Sequence, residues 1–131
     1  MTATLLYDHV DARVASLAGS RALYDALLPA LGFSDIHSFD DGVVYYHESH
    51  TKGLPFFGLI LDESHRPNGT RIAFAVANRR EVDRIASVAQ AAGALKFESP
   101  AVCPEYSDDY YASFFEDGEG NKLEVCYRIS E

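Results

Sequence analysis

Long apolar runs are missing from this chain, and no stretch approaches the roughly 20 residues that a membrane span requires. Basic residues are scarce as well. Eleven Lys and Arg stand against twenty Asp and Glu, for a net charge of −9. Nucleic acids and anionic membrane surfaces both need a basic face, so neither is an expected partner. There are only two cysteines, Cys103 and Cys126, with no C-x-x-C and no zinc-ligand spacing. They read as two free thiols of a reducing compartment, with Cys126 partly buried in a strand. The opening residues "MTATLLYDHV" carry no basic segment and no cleavage site, so the expected location is cytoplasmic. No G-x-S-x-G elbow, P-loop or dinucleotide-binding glycine pattern occurs, and the G-x-G of "DGEGN" belongs to a hairpin turn.

What is present is a globular composition: 131 residues, 47% hydrophobic and 24% charged. A chain of this size buries about two-thirds of its unfolded surface, enough for a single domain spanning residues 1–131. Within it, one pattern occurs twice. "YDHVDARVAS" at 7–16 and "NGTRIAFAVAN" at 68–78 coincide when shifted by 62 positions. Val10, Ala12 and Val14 fall on Ile72, Phe74 and Val76, and this alternation predicts a half-buried strand in each copy. Ser16 and Asn78 are helix N-caps, Asn78 with Glu81 forming the pattern of a capping box. Helices follow, with apolar faces at Tyr24, Leu27, Leu28, Leu31 and at Val82, Ile85, Ala86, Ala89. Gly32 and Gly93 stand where a helix C′ glycine is expected, and Pro29 predicts a distorted last turn in the first helix.

Strands are expected at "GVVYYHE" and "LPFFGLILD" in the first half. In the second they are a short piece near "LKFES", then "DYYASFFED" and "KLEVCYR", the last two joined by the "DGEGN" turn. The organisation is α+β, a β-α-β-β-β module repeated over 4–62 and 69–129, with a polar linker at about 62–69.

"DHVDARV", "SRALYDALLPALGF", "IAFAV" and above all "YYASFFEDGEGNKLEV" resemble the vicinal oxygen chelate superfamily, the family of glyoxalase I, bleomycin-resistance proteins and extradiol dioxygenases. The likeness covers nearly the whole chain. It implies two βαβββ modules in pseudo-two-fold repeat, forming a half-open barrel around a cup, and a homodimer, which would also cover exposed sheet edges.

Strand parity assigns faces independently of the resemblance. On the first strand Val10, Ala12 and Val14 pack, which leaves His9, Asp11 and Arg13 on the other face. On the repeat strand Arg71, Ala73 and Ala75 share that face, and on the last strand Lys122, Glu124 and Cys126 do. The resemblance places His9 and Glu124 at two of three metal-ligand positions, for iron, manganese, zinc or nickel. The third holds Arg71. A guanidinium has no lone pair and stays protonated. At ~5 Å from a divalent cation and an effective dielectric of ~20 it would cost roughly 6–7 kcal/mol in repulsion. The expectation is therefore no three-ligand metal site. Arg71 is expected either to pair bidentately with Glu124 or, with Arg13, to clamp an anionic oxygen of a small ligand.

"HESHTKG" supplies His47, Glu48 and His50, read as solvated loop residues, with His50 a candidate third ligand or ligand contact. His37 and His65 read as loop residues too. The tyrosine-rich "CPEYSDDYY" offers Tyr106, Tyr110 and Tyr111, of which Tyr106 and Tyr111 are the candidates for lining a ligand pocket. In the consecutive pairs Tyr45–Tyr46 and Phe56–Phe57, one ring of each is expected on each side of its strand.

Three functions follow from these residues. One is a metal-dependent lyase or dioxygenase using His9, Glu124 and an unusual third ligand. Another is a metal-free module that binds a small oxygenated or anionic molecule, or sequesters an antibiotic. The third is metal-independent catalysis, with Glu124 or His9 as base and Arg71 stabilising negative charge. Arg71 counts against the first.

Overall fold

The computed structural model describes residues 6–48 and 54–128, so His50 lies outside the described residues. The chain divides between Arg66 and Pro67 into two compact units. The first holds β1 (His9–Val14), α1 (Leu17–Ala30), β2 (Asp35–Phe39), β3 (Gly42–Tyr46) and β4 (Phe56–Leu61). The second holds β5 (Arg71–Ala75), α2 (Arg79–Ala91), β6 (Leu95–Val102), β7 (Tyr111–Glu116) and β8 (Lys122–Tyr127). Each module is one four-stranded sheet, ordered β1-β4-β3-β2 in the first and β5-β8-β7-β6 in the second. In both, the first strand runs parallel to the last and the remaining pairs are antiparallel. The repeat seen in the sequence is thus a repeat of topology.

Burial fixes which way each strand faces. In the first module α1 buries Leu23, Tyr24, Leu27 and Leu28 against Val14, Val43, Tyr45, Phe57 and Leu59. In the second, α2 buries Val82, Ile85, Ala86 and Ala89, and Phe74, Phe115, Leu123 and Val125 are the buried set of its sheet. Each Leu, Ile, Val or Phe among them contributes about 1.5–3 kcal/mol on burial. A one-residue slip would turn a whole set outward, so the register is strongly held. Tyr46 and Phe56, the partners of buried Tyr45 and Phe57, stay half-buried on the other face.

The helix ends match their sequence signals. Ser16 Oγ accepts from the Gly19 N–H at 3.2 Å, and Asn78 Oδ1 accepts from the Glu81 N–H at 2.9 Å. The Glu81 carboxylate is taken by Arg84 at 2.8 Å, so the cap is one-sided and not the reciprocal box expected. Gly32 and Gly93 have φ of 98° and 97°. The next N–H groups, of Phe33 and Ala94, reach back to Leu28 O and Ala89 O at 2.9 and 3.0 Å, closing both helices with a Schellman motif.

Gly32 is constrained twice over, because a Cβ there would stand 2.5 Å from His47 Nε2. Gly32→Ala is therefore expected to cost about 2 kcal/mol through left-handed strain and displacement of that imidazole. Chemical denaturation checks this, with a lower midpoint at unchanged slope as the expected outcome.

Four sequence expectations are corrected. His37 is not in a loop: it lies on β2, an edge strand whose five residues are all exposed. With no buried side, that strand shows no apolar alternation. His47 is not a solvated loop residue: it is half-buried, edge-on to Phe33 with ring centroids 4.9 Å apart, and its Nε2 lies 3.2 Å from Leu31 O. The expected short strand near "LKFES" runs on through Pro100 to Val102, with two shifts in its pairing to β7. Pro100 is tolerated because β6 is an edge strand. The strand expected over "DYYASFFED" runs only from Tyr111 to Glu116, two residues later than its expected start at Asp109.

Candidate functional site

The face of the second sheet opposite α2 gathers most of the chemistry. Register sets its rows. Arg71 pairs with Lys122, which pairs with Glu116; Ala73 pairs with Glu124, which pairs with Phe114; Ala75 pairs with Cys126, which pairs with Ala112. Arg71 thus stands one step diagonally from Glu124 on the same face, as parity predicted. The rows are locked by the turn between β7 and β8. There the buried Asp117 carboxylate accepts from the Glu119 and Asn121 backbone N–H groups at 2.9 and 3.0 Å and from Asn121 Nδ2 at 2.8 Å.

Glu124 is only 5% exposed. It sits beside a small apolar cluster of Cys103, Tyr110 and Ala112, against which Phe114 and Cys126 pack. A carboxylate in such surroundings needs a donor. Tyr110 supplies it, donating its hydroxyl to Glu124 Oε2. Burial, with hydrogen bonding to Cys126 and Glu124, pushes the Tyr110 phenol far above its ordinary range. The phenol therefore stays protonated and remains a donor.

The bidentate Arg71–Glu124 pair, one of the two alternatives left open by the sequence, does not form. Arg71 Cζ lies over the Phe114 ring, 4.8 Å from its centroid, and Phe114 stands directly across from Glu124. Among the described residues no carboxylate forms an ion pair with Arg71. The neighbouring charges are otherwise engaged: Glu116 takes Lys122 at 3.2 Å and Lys96 at 3.8 Å. Arg71, Lys96, Glu98, Phe114, Glu116 and Lys122 line an open depression of about 150 Å³.

The tyrosine-rich segment divides by parity. Tyr111 falls on the helix-packed face, where its hydroxyl donates to Asp83 at 2.7 Å and Arg79 covers its ring at 5.0 Å. It does not join Glu124. Tyr106, 58% exposed, leans on Tyr110 and Phe114 with centroids 5.2 and 6.4 Å apart. Tyr110, passed over in choosing between the three, is the one that touches Glu124. The signal was available: Tyr110 shares parity with Ala112 and Phe114.

In the first module, His9, Asp11 and Arg13 share the exposed face of β1. His9 stacks on Phe56, 4.3 Å between centroids and 2° between planes. Its Nδ1 lies 2.9 Å from Asp8 and its Nε2 3.8 Å from Asp11. Asp11 leans over Gly58, its β4 partner, filling the space a Cβ there would take. Gly58 is the repeat equivalent of Glu124 and Asp11 that of Ala73, so each module carries one carboxylate in the same row, from opposite strands. Arg13 lies 3.7 Å from Asp62.

Within the second module the side chains around Glu124 do not form a three-ligand metal set. The Glu124 carboxylate already accepts from a phenol, and the third position is a guanidinium. Among the described residues no three His, Cys, Asp or Glu side chains are grouped so that they could hold an ion. Nor is any described helix long and apolar enough to cross a membrane.

Comparison with solved structures gives the fold a context. A glyoxalase/bleomycin resistance protein from Albidiferax ferrireducens T118 superposes with a TM-score of 0.76 at 24% identity, covering 95% of this chain and 100% of that one. A glyoxalase/bleomycin resistance protein/dioxygenase family enzyme from Burkholderia phytofirmans PsJN gives 0.67 at 16% identity, over 93% of this chain and 98% of the other. A glyoxalase/bleomycin resistance protein/dioxygenase from Alicyclobacillus acidocaldarius gives 0.62 at 16%, over 93% and 90%. No protein-family model and no curated protein matches the chain.

Proposed function

We propose that this chain, which has the glyoxalase/bleomycin resistance/dioxygenase fold of the vicinal oxygen chelate superfamily, binds a small oxygenated anion on its second module without a three-ligand metal. The observation that carries the reading is a guanidinium held against an aromatic face with no carboxylate partner, one diagonal step from a buried, singly engaged carboxylate. The contact with Phe114 holds the Arg71 guanidinium over the ring, where its N–H groups can donate to a ligand carboxylate or enolate oxygen.

Glu124 supports a second role at the same site. Tyr110 holds one carboxylate oxygen, and the other is left as an acceptor for a ligand hydroxyl or a proton. If the bound molecule carries an acidic C–H or O–H, Glu124 takes the proton while Arg71 stabilises the oxyanion that develops. His9 has no part in this reading, since Asp8 and Asp11 already flank its ring nitrogens. A large cationic ligand is disfavoured by the same guanidinium.

The test is titration of the purified protein with acetate, glycolate and pyruvate, followed by amide NMR shifts. Saturable shifts confined to residues around Arg71, Phe114 and Glu124 are expected. Equal shifts with a neutral isostere such as acetamide would defeat the proposal.

A further inference from the structure

A second guanidinium repeats the arrangement of Arg71 at the other end of the same face. Arg128 Cζ lies over the Tyr110 ring, 4.5 Å from its centroid. Among the described residues it too forms no ion pair with a carboxylate. Residues 122, 124, 126 and 128 share parity along β8 and its continuation, as 110, 112, 114 and 116 do along β7, so both arginines belong to the face opposite α2. Between the two capped rings lies Tyr106, in contact with both and largely exposed. The result is a strip of three rings, Phe114, Tyr106 and Tyr110, with a guanidinium at each end. Strand rise separates residues 110 and 114 by on the order of 12 Å. Arg71 lines a depression of about 150 Å³ together with Phe114, and Arg128 lines another of about 300 Å³ with Ala75, Ala77 and Cys126.

We infer that this strip binds an elongated dianion, with an anionic group at each arginine and a flat or apolar middle lying on Tyr106. The inference rests on the Arg71 reading and extends it from one anionic contact to two. The charges in between decide the middle of the ligand. The Glu124 carboxylate lies close to Tyr110, so a central anionic group would be repelled while a central hydroxyl or apolar segment is tolerated. At the Arg71 end Glu116 is matched by Lys122 and Lys96, leaving Glu98 as the opposing charge in that depression. The net charge of −9 does not cancel the attraction. At physiological salt the Debye length is about 8 Å, so the adjacent guanidinium outweighs distant carboxylates.

The probes are biphenyl-4,4′-dicarboxylate, the shorter terephthalate and the one-headed biphenyl-4-carboxylate, titrated by calorimetry into wild type, Arg71→Ala and Arg128→Ala. The long dianion is expected to bind wild type at least tenfold more tightly than either of the others. Arg128→Ala should reduce it to the one-headed affinity while leaving biphenyl-4-carboxylate within about twofold. Arg71→Ala should weaken both. Arg128 is exposed, so its variants should fold, and Arg128→Gln repeats the test with a polar side chain. Equal wild-type affinity for one-headed and two-headed probes overturns the inference alone, as does a dianion preference that survives Arg128→Ala. Binding of no carboxylate by wild type overturns this inference and the Arg71 reading together.

Discussion

Replacing Arg71 by alanine is expected to weaken binding of small carboxylates by about 10–100-fold, the scale of one charge-assisted hydrogen-bonded contact worth roughly 1.5–3 kcal/mol. The lower part of that range is the better expectation, because Arg71 is exposed and water competes for both partners. Arg71→Lys separates charge from geometry. Lysine keeps the cation but loses the planar fork and the stacking on Phe114, so an intermediate affinity is expected. Calorimetric titration of the three proteins with pyruvate reads the outcome. Unchanged affinity in Arg71→Ala would remove the arginine from the site.

The second large effect is on stability. Asp117→Ala is expected to cost about 3 kcal/mol, since it strips an acceptor from a buried turn and leaves two backbone N–H groups unpaired. For a domain of this size that lowers Tm by roughly 10 °C. Because this turn sets the β7–β8 register, the loss should reach the site. Amide signals of Phe114 and Glu124 are expected to shift in the folded variant, whereas Asp117→Asn, which keeps a carbonyl acceptor, should shift them less. A loss under about 1 kcal/mol would show that water replaces the carboxylate.

Much of the architecture was legible because strand parity carries it. Asp11, Arg71, Ala73 and Glu124 were placed on their faces from alternation alone, and the helix ends from Ser16, Asn78, Gly32 and Gly93. Parity carries no information where a strand has no buried side, and β2 was missed for that reason. Which neighbour a long side chain chooses is also invisible in one dimension. Arg71 and Glu124 were rightly put on one face, but whether they pair was left open, and they do not, since Phe114 and Tyr110 reach them first across β7. Tyr110 and Tyr111 are adjacent in sequence but face opposite sides, and the parity Tyr110 shares with Ala112 and Phe114 decides that it meets the carboxylate. His47 looked like a loop histidine because its partners, Phe33 and Leu31, come from the end of α1.

We propose that the second module binds its ligand through a guanidinium and a phenol-held carboxylate, with no metal ion. Elemental analysis of protein purified without added metal, before and after incubation with iron, manganese, zinc and nickel salts and gel filtration, tests it most directly. Far less than one ion per chain is expected under every condition, unchanged by Glu124→Ala. Near-stoichiometric retention of one of these metals, lost in Glu124→Ala, would contradict it.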